Sequence, residues 1–127
     1  MKLLLDTHIF LWFISGDTQL STDIRDAIRD PANEVYLSAV SVWEAIVKCQ
    51  LGKLPLPEPP EVYLPKQRDL HQITGLALDE HSVMQLAKLP PLHRDPFDRM
   101  LICQALHNGL IIATVDAAIR AYSISVM

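Results

Sequence analysis

Several protein classes are excluded by what this sequence lacks. Its apolar stretches, such as Ile9 to Ile14 and Leu110 to Ala113, fall far short of the roughly 20 residues a membrane-spanning helix needs. One lysine and three leucines precede the first aspartate, with no apolar segment and small-residue cleavage site of a secretory signal. The expectation is a cytoplasmic protein with no membrane partner. Only two cysteines are present, Cys49 and Cys103, and neither has a second Cys or His at zinc-ligand spacing. They read as reduced, mostly buried thiols. Glycine is scarce at four residues, and no repeat or low-complexity tract appears, which excludes fibrous and disordered classes. There is also no run of basic residues.

What is present is 127 residues, 50% of them hydrophobic, which is one domain spanning residues 1–127. Such a chain packs to a radius of gyration of roughly 14 Å, enough for a core without disulfide staples. Fifteen acids face eleven lysines and arginines, for a formal net charge of -4 at pH 7. If four of the acids shared one site, the remainder would balance. The excess negative charge would then lie in one place, a costly arrangement unless a cation sat there.

Lys2 to Leu5 is a short apolar run ending at Asp6-Thr7, followed by the continuously apolar Ile9 to Ile14, which reads as a buried strand feeding a helix. Ser15-Gly16-Asp17 ends that helix, and Ser21 or Thr22 caps an amphipathic one with Ile24, Ala27 and Ile28 inward. Val35 to Leu37 is a second strand. From Ala39 to Leu51, Val40, Trp43, Val47 and Leu51 recur at helical spacing, with Gly52 as the stop.

Five of the nine prolines fall within residues 55–65, a surface connector rather than a domain boundary, since neither half could bury a core alone. A helix over Glu61 to Leu70, a strand over Gln72 to Leu76 and a helix over Asp79 to Leu89 follow. Asp95-Pro96 opens another helix, with Asp95 as N-cap and proline at the first helical position, running to Asn108-Gly109. Leu110 to Ala113 is the last strand. Strands alternating with helices in this way predict an α/β fold with a parallel sheet covered on both faces.

Ligands in such folds bind outside the carboxyl ends of the strands. Asp6 follows the first strand, and Asp116 follows the last after Thr114-Val115. Asp98 falls in the first turn of the Asp95 helix, and Glu44 lies mid-helix beside Trp43. Neighbouring first and last strands would let these four carboxylates meet. Oxygen donors without His or Cys suit Mg²⁺ or Mn²⁺, and the chemistry they favour is hydrolysis of a nucleic-acid backbone.

Each acid also has a plainer role open to it. Asp6, Asp95 and Asp116 can all cap helices, and Glu44 can pair with Lys48 at i,i+4. Thr7 and Thr114 adjoin proposed acids and can orient a carboxylate or simply pack at strand ends. His8 and His93 lack a ligand partner at useful spacing and read as non-ligands.

Four stretches then resemble one family in the right order: Leu3-Leu4-Leu5-Asp6-Thr7-His8; Ser38 to Glu44 with Leu51-Gly52-Lys53-Leu54; His93 to Ile102; and Thr114-Val115-Asp116 with Ala121-Tyr122. Together they resemble PIN-domain proteins of the VapC toxin type. The resemblance implies a three-layer α/β/α sandwich and a Mg²⁺- or Mn²⁺-dependent ribonuclease. By position, Asp6, Glu44 and Asp98 match its principal metal-holding acids, Asp116 matches a more variable fourth, and Asp95 takes a capping or supporting role. It further implies a homodimer, an RNA substrate, and inhibition by a separately encoded antitoxin whose C-terminal segment reaches the acidic groove. Cys49-Gln50 stand where many relatives carry a basic pair, and Ile119 where Phe is common; both bear on substrate affinity more than on catalysis.

With a sequence pI near 5.6, grip on RNA has to come from a rim. Lys48, Lys53, Lys88, Arg94 and Arg99 are its candidates, and the binding is expected to be weak and salt-sensitive. The exposed part of the Ile9 to Ile14 helix, with Trp12, is the candidate dimer or antitoxin surface. A haloacid-dehalogenase reading fails because position 8 is histidine rather than a second aspartate. A receiver domain fails for want of its central-strand aspartate and late lysine. The remaining alternative is a PIN-like module that binds RNA or protein without cutting.

Overall fold

The computed structural model describes all of residues 1–127. Four short strands form one sheet: β1 (Lys2–Leu5), β2 (Glu34–Ser38), β3 (Thr74–Leu76) and β4 (Ile111–Ala113). Their order is β3-β2-β1-β4 and every pairing is parallel. The helices are α1 (Thr7–Ser15), α2 (Thr22–Arg29), α3 (Ala39–Gln50), α4 (Pro60–Leu70), α5 (Glu80–Met84), α6 (Pro96–Asn108) and α7 (Ala117–Arg120). Beyond α7 the chain returns to the sheet edge, where Met127 N–H donates to Ile112 and Ile112 N–H donates to Ser125.

Side chains alternate across a strand, so β1 feeds two cores at once. Leu3 and Leu5 pack with Ile9, Phe10, Ile24, Ile28 and Leu64 on one face. Leu4 packs with Leu101, Ile102, Ile112, Ile119 and Tyr122 on the other. Helices α1, α2 and α4 therefore cover one face and α6 and α7 the other, the expected three layers. Each β1 leucine is fully buried, a placement that stabilises by roughly 1.5 to 3 kcal/mol per side chain.

Three elements depart from the sequence expectation. Val40 is inward on α3 but Trp43 and Leu51 are exposed; the buried side chains are Val40, Ser41, Glu44 and Ala45. The stripe is rotated because half of it is polar and faces the strand ends, so an apolar count misses it. β3 begins at Thr74 rather than Gln72. Gln72 adopts φ 57°, and the Ile73 N–H returns to Arg68, so these residues close α4 instead of extending the sheet. The helix expected over Asp79 to Leu89 tightens after Met84 into a 3₁₀ turn over Gln85–Lys88. The remaining elements follow the reading closely, and of the two residues open as the α2 cap it is Ser21 that serves, accepting from Ile24 N–H at 3.3 Å.

A candidate acidic site at the strand carboxyl ends

The sheet order places a topological switch between β1 and β4: the chain leaves β1 for β2 on one side and returns through β4 on the other. Such a point opens a crevice beyond the carboxyl ends of the two strands. Asp6 stands on one side of it and Thr114 to Asp116 on the other, joined where Asp6 N–H donates to Ala113 at 3.0 Å.

Asp6 is nearly buried, yet its side chain makes no capping bond to α1. It accepts instead from the Thr114 hydroxyl through Oδ2, at 2.8 Å. The capping role open to it in the sequence is therefore unused. Thr114 Oγ1 also accepts from Asp116 N–H at 3.0 Å, so one hydroxyl ties the two strand ends together. Asp116 does cap α7, its Oδ1 accepting from Ala118 N–H at 2.9 Å.

Glu44 rises from α3 with only 2% of its surface exposed. The Thr7 hydroxyl lies 2.8 Å from both Glu44 Oε1 and Ser41 Oγ. Having one proton, Thr7 donates it to the carboxylate and accepts from Ser41. Glu44 Oε2 accepts from the Lys48 ammonium, the i,i+4 pair open in the sequence, although the glutamate end is buried rather than on the surface.

Asp98 sits in the first turn of α6. Asp95 caps that helix, its Oδ1 accepting from Phe97 and Asp98 N–H at 2.9 and 3.0 Å. Asp98 Oδ2 lies 3.1 Å from His93 Nε2, and His93 Nδ1 lies 2.8 Å from the Tyr122 hydroxyl. The donors around Tyr122 assign the imidazole. Its oxygen accepts from Arg99 Nη1 at 2.8 Å and from His93 N–H at 3.3 Å, which uses both lone pairs. The phenol proton therefore goes to Nδ1, and Nε2–H donates to Asp98. Arg99 also donates to the carbonyls of Pro90, His93 and Leu89, clamping the loop that carries the histidine. Its place is thus inside the scaffold, not on the substrate rim expected from sequence. Lys53, Lys88 and Arg94 are exposed, whereas Lys48 is held by Glu44.

The acids share a field. Burial pushes Asp6 above its ordinary range; the Thr114 hydrogen bond and His8 oppose this, while Glu44 and Asp116 add to it. Burial likewise raises Asp98 to about 7, against the pull of the His93 hydrogen bond and with the charges of Asp95, Asp6 and Asp116 behind it. No three His, Cys, Asp or Glu side chains are gathered tightly enough to cage a metal ion. The four sequence-selected carboxylates are thus close enough to repel one another without forming a finished coordination shell.

Their donor chemistry nonetheless fits a hard divalent cation. Asp6, Asp98 and Asp116 are each anchored through one oxygen, leaving the second outside those bonds. An oxygen-only set of mutually repelling acids is what Mg²⁺ or Mn²⁺ satisfies. Ser41 and Tyr122 lie within the stretches that carry the resemblance, but neither takes a role from the sequence alone, and His93 read as a non-ligand. The spacing of five residues between His93 and Asp98 is the one local signal for that pair, and the matched stretch that holds Tyr122 does not tell that its hydroxyl meets His93.

Comparison with known proteins bears on the family and the fold. The family model described as PIN domain matches residues 3–124. Ribonuclease VapC16 of Mycobacterium tuberculosis is 44% identical over 57 residues, which is 45% of this chain and 40% of that relative. The match therefore spans less than half the length of that curated relative. Among solved structures, VapBC2 from Rickettsia felis bound to a promoter DNA fragment superposes with a TM-score of 0.73 at 13% identity, covering 100% of this chain and 98% of that one. FitAcB from Neisseria gonorrhoeae does so with a TM-score of 0.66 at 20% identity, covering 98% and 96%. No helix is long and apolar enough to cross a membrane.

Proposed function

The chain belongs to the PIN-domain family, and from that premise we propose that it is a Mg²⁺- or Mn²⁺-dependent endoribonuclease, the toxin of a type II toxin–antitoxin pair. The observation that carries the reading is the set of acids around the β1–β4 switch point, where burial and like charge raise both Asp6 and Asp98. Keeping both acids ionised together there is what a bound cation would favour.

Asp6, Glu44, Asp98 and Asp116 would hold the cation, which when bound supplies a Lewis acid for the phosphodiester and acidifies an attacking water. The chain's own part is orientation. Thr114 fixes Asp6, Thr7 with Ser41 fixes Glu44, and His93 fixes Asp98, so each acid is presented in one rotamer. The exposed Lys53, Lys88 and Arg94 attract the RNA backbone. The relative named ribonuclease and the solved complexes named VapBC support pairing with a cognate antitoxin, and a homodimeric, cytoplasmic toxin is what the sequence resemblance adds to that reading.

Cleavage of total cellular RNA by the purified chain tests the proposal, with Mg²⁺, Mn²⁺ or EDTA and with Asp6→Asn as control. Discrete fragments that require metal and vanish in the variant are expected. Intact RNA under every condition, with metal still bound, would replace the nuclease by a module that binds without cutting.

A further inference from the structure

Glu44 differs from the other site acids in having a side-chain donor on each of its two oxygens. Oε1 accepts from Thr7 and Oε2 from Lys48, and the carboxylate is buried. A buried carboxylate needs a counter-charge, and the Lys48 ammonium supplies one. Lys48 belongs to the whole site rather than to Glu44 alone. Burial works against its charged form, but the Glu44 hydrogen bond and charge, with Asp95 and Asp98, outweigh that and hold its pKa above the ordinary lysine value. Its side chain is 30% exposed, on a flexible stem that can swing to solvent without unfolding α3.

Resting on the metal-dependent reading above, we infer that Lys48 is the counter-ion of Glu44, competing with the divalent cation for Glu44 Oε2 and set free towards the substrate phosphate when the cation binds. An ammonium and a divalent cation repel each other at one buried oxygen, so binding of either weakens the hold on the other. The swap has a use. A charged lysine left in place would weaken cation binding, whereas a released one stands at the rim, where phosphate is to be held. Lys48 is the one basic residue of α3, so this released charge is the only one that helix can offer. Lys48 is in this sense a positioning residue, acting through Glu44.

Two measurements test it. Mn²⁺ is titrated into wild type, Lys48→Met and Lys48→Arg by calorimetry. Lys48→Met should bind roughly five-fold more tightly, the gain from losing a competing ion pair, with Lys48→Arg near wild type. Unchanged or weaker binding by Lys48→Met would overturn the competition. The second measurement uses only the native protein: acylation of individual lysines followed by mass spectrometry, with and without saturating Mg²⁺. Lys48 should label several-fold faster with Mg²⁺ while the exposed Lys53 and Lys88 stay constant, and an unchanged Lys48 rate would sink the idea even if the methionine variant failed to fold. Failure of wild type to bind Mn²⁺ at all would instead remove the metal-dependent reading on which the inference rests.

Discussion

Asp98 shows how a single side chain couples the site to stability. Its pKa is about 7 in the folded chain against 3.8 for a free aspartate, so between those values the folded state binds more protons than the unfolded one. Stability from this group is fully present below about pH 4 and is lost as pH rises through 7. In EDTA, the melting temperature of wild type should therefore fall over that interval more than that of Asp98→Asn, which cannot ionise. Added Mg²⁺ should raise the wild-type melting temperature more at pH 8 than at pH 5 and leave Asp98→Asn unmoved; equal effects at both pH values would detach the acid from the cation. Tyr122 is legible only at this scale. Tyr122→Phe keeps the ring in its core but leaves His93 Nδ1 without a donor, so Asp98 loses its fixed partner. Fold retained with turnover lowered several-fold, at little change in KM, is the expected split in a steady-state RNA assay.

The element that matters most to the site is α6, because its start sets where Asp98 stands. Asp95 accepts from two otherwise orphaned backbone N–H groups, and Pro96 takes the first helical position where its missing donor costs nothing. Asp95→Ala should cost about 1 kcal/mol in urea unfolding and loosen the first turn, whereas Asp95→Asn keeps the cap and should stay near wild type. Equal losses in both would assign Asp95 a role beyond capping. α3 is tied to α6 from below: the Ser38 hydroxyl, which caps α3, donates to the buried Gln104 on α6, whose amide donates to Ala77 at 3.2 Å. Glu44 and Asp98 thus ride on helices linked through one buried polar network. The start of α6 was legible because capping chemistry is local. The inward face of α3 was not, because Ser41 and Glu44 are buried for polar partners that come from elsewhere in the chain.

At the scale of the molecule, β1 is the element that the rest of the chain surrounds. Leu4→Ala leaves a cavity in the second core beneath Leu101 and Ile112 and should cost roughly 2 to 5 kcal/mol in urea unfolding. A loss under 1 kcal/mol would mean that this layer collapses to fill the gap. The local signals of the sequence determined the first and last strands, the cap at Asp95, the choice of Ser21 or Thr22 for α2, the alternating α/β plan and the acids worth following. Those properties depend on neighbours a few residues apart, where periodicity and capping act. Only the tertiary structure decided that β1 and β4 are adjacent, that Thr114 reaches across 108 residues to Asp6, and that His93, Tyr122 and Arg99 close on Asp98. It also moved Arg99 and Lys48 from the rim into the scaffold. The reason is that hydrogen-bond partners of buried polar groups are chosen by proximity after folding, and parallel pairing brings together residues whose separation along the chain carries no periodic trace.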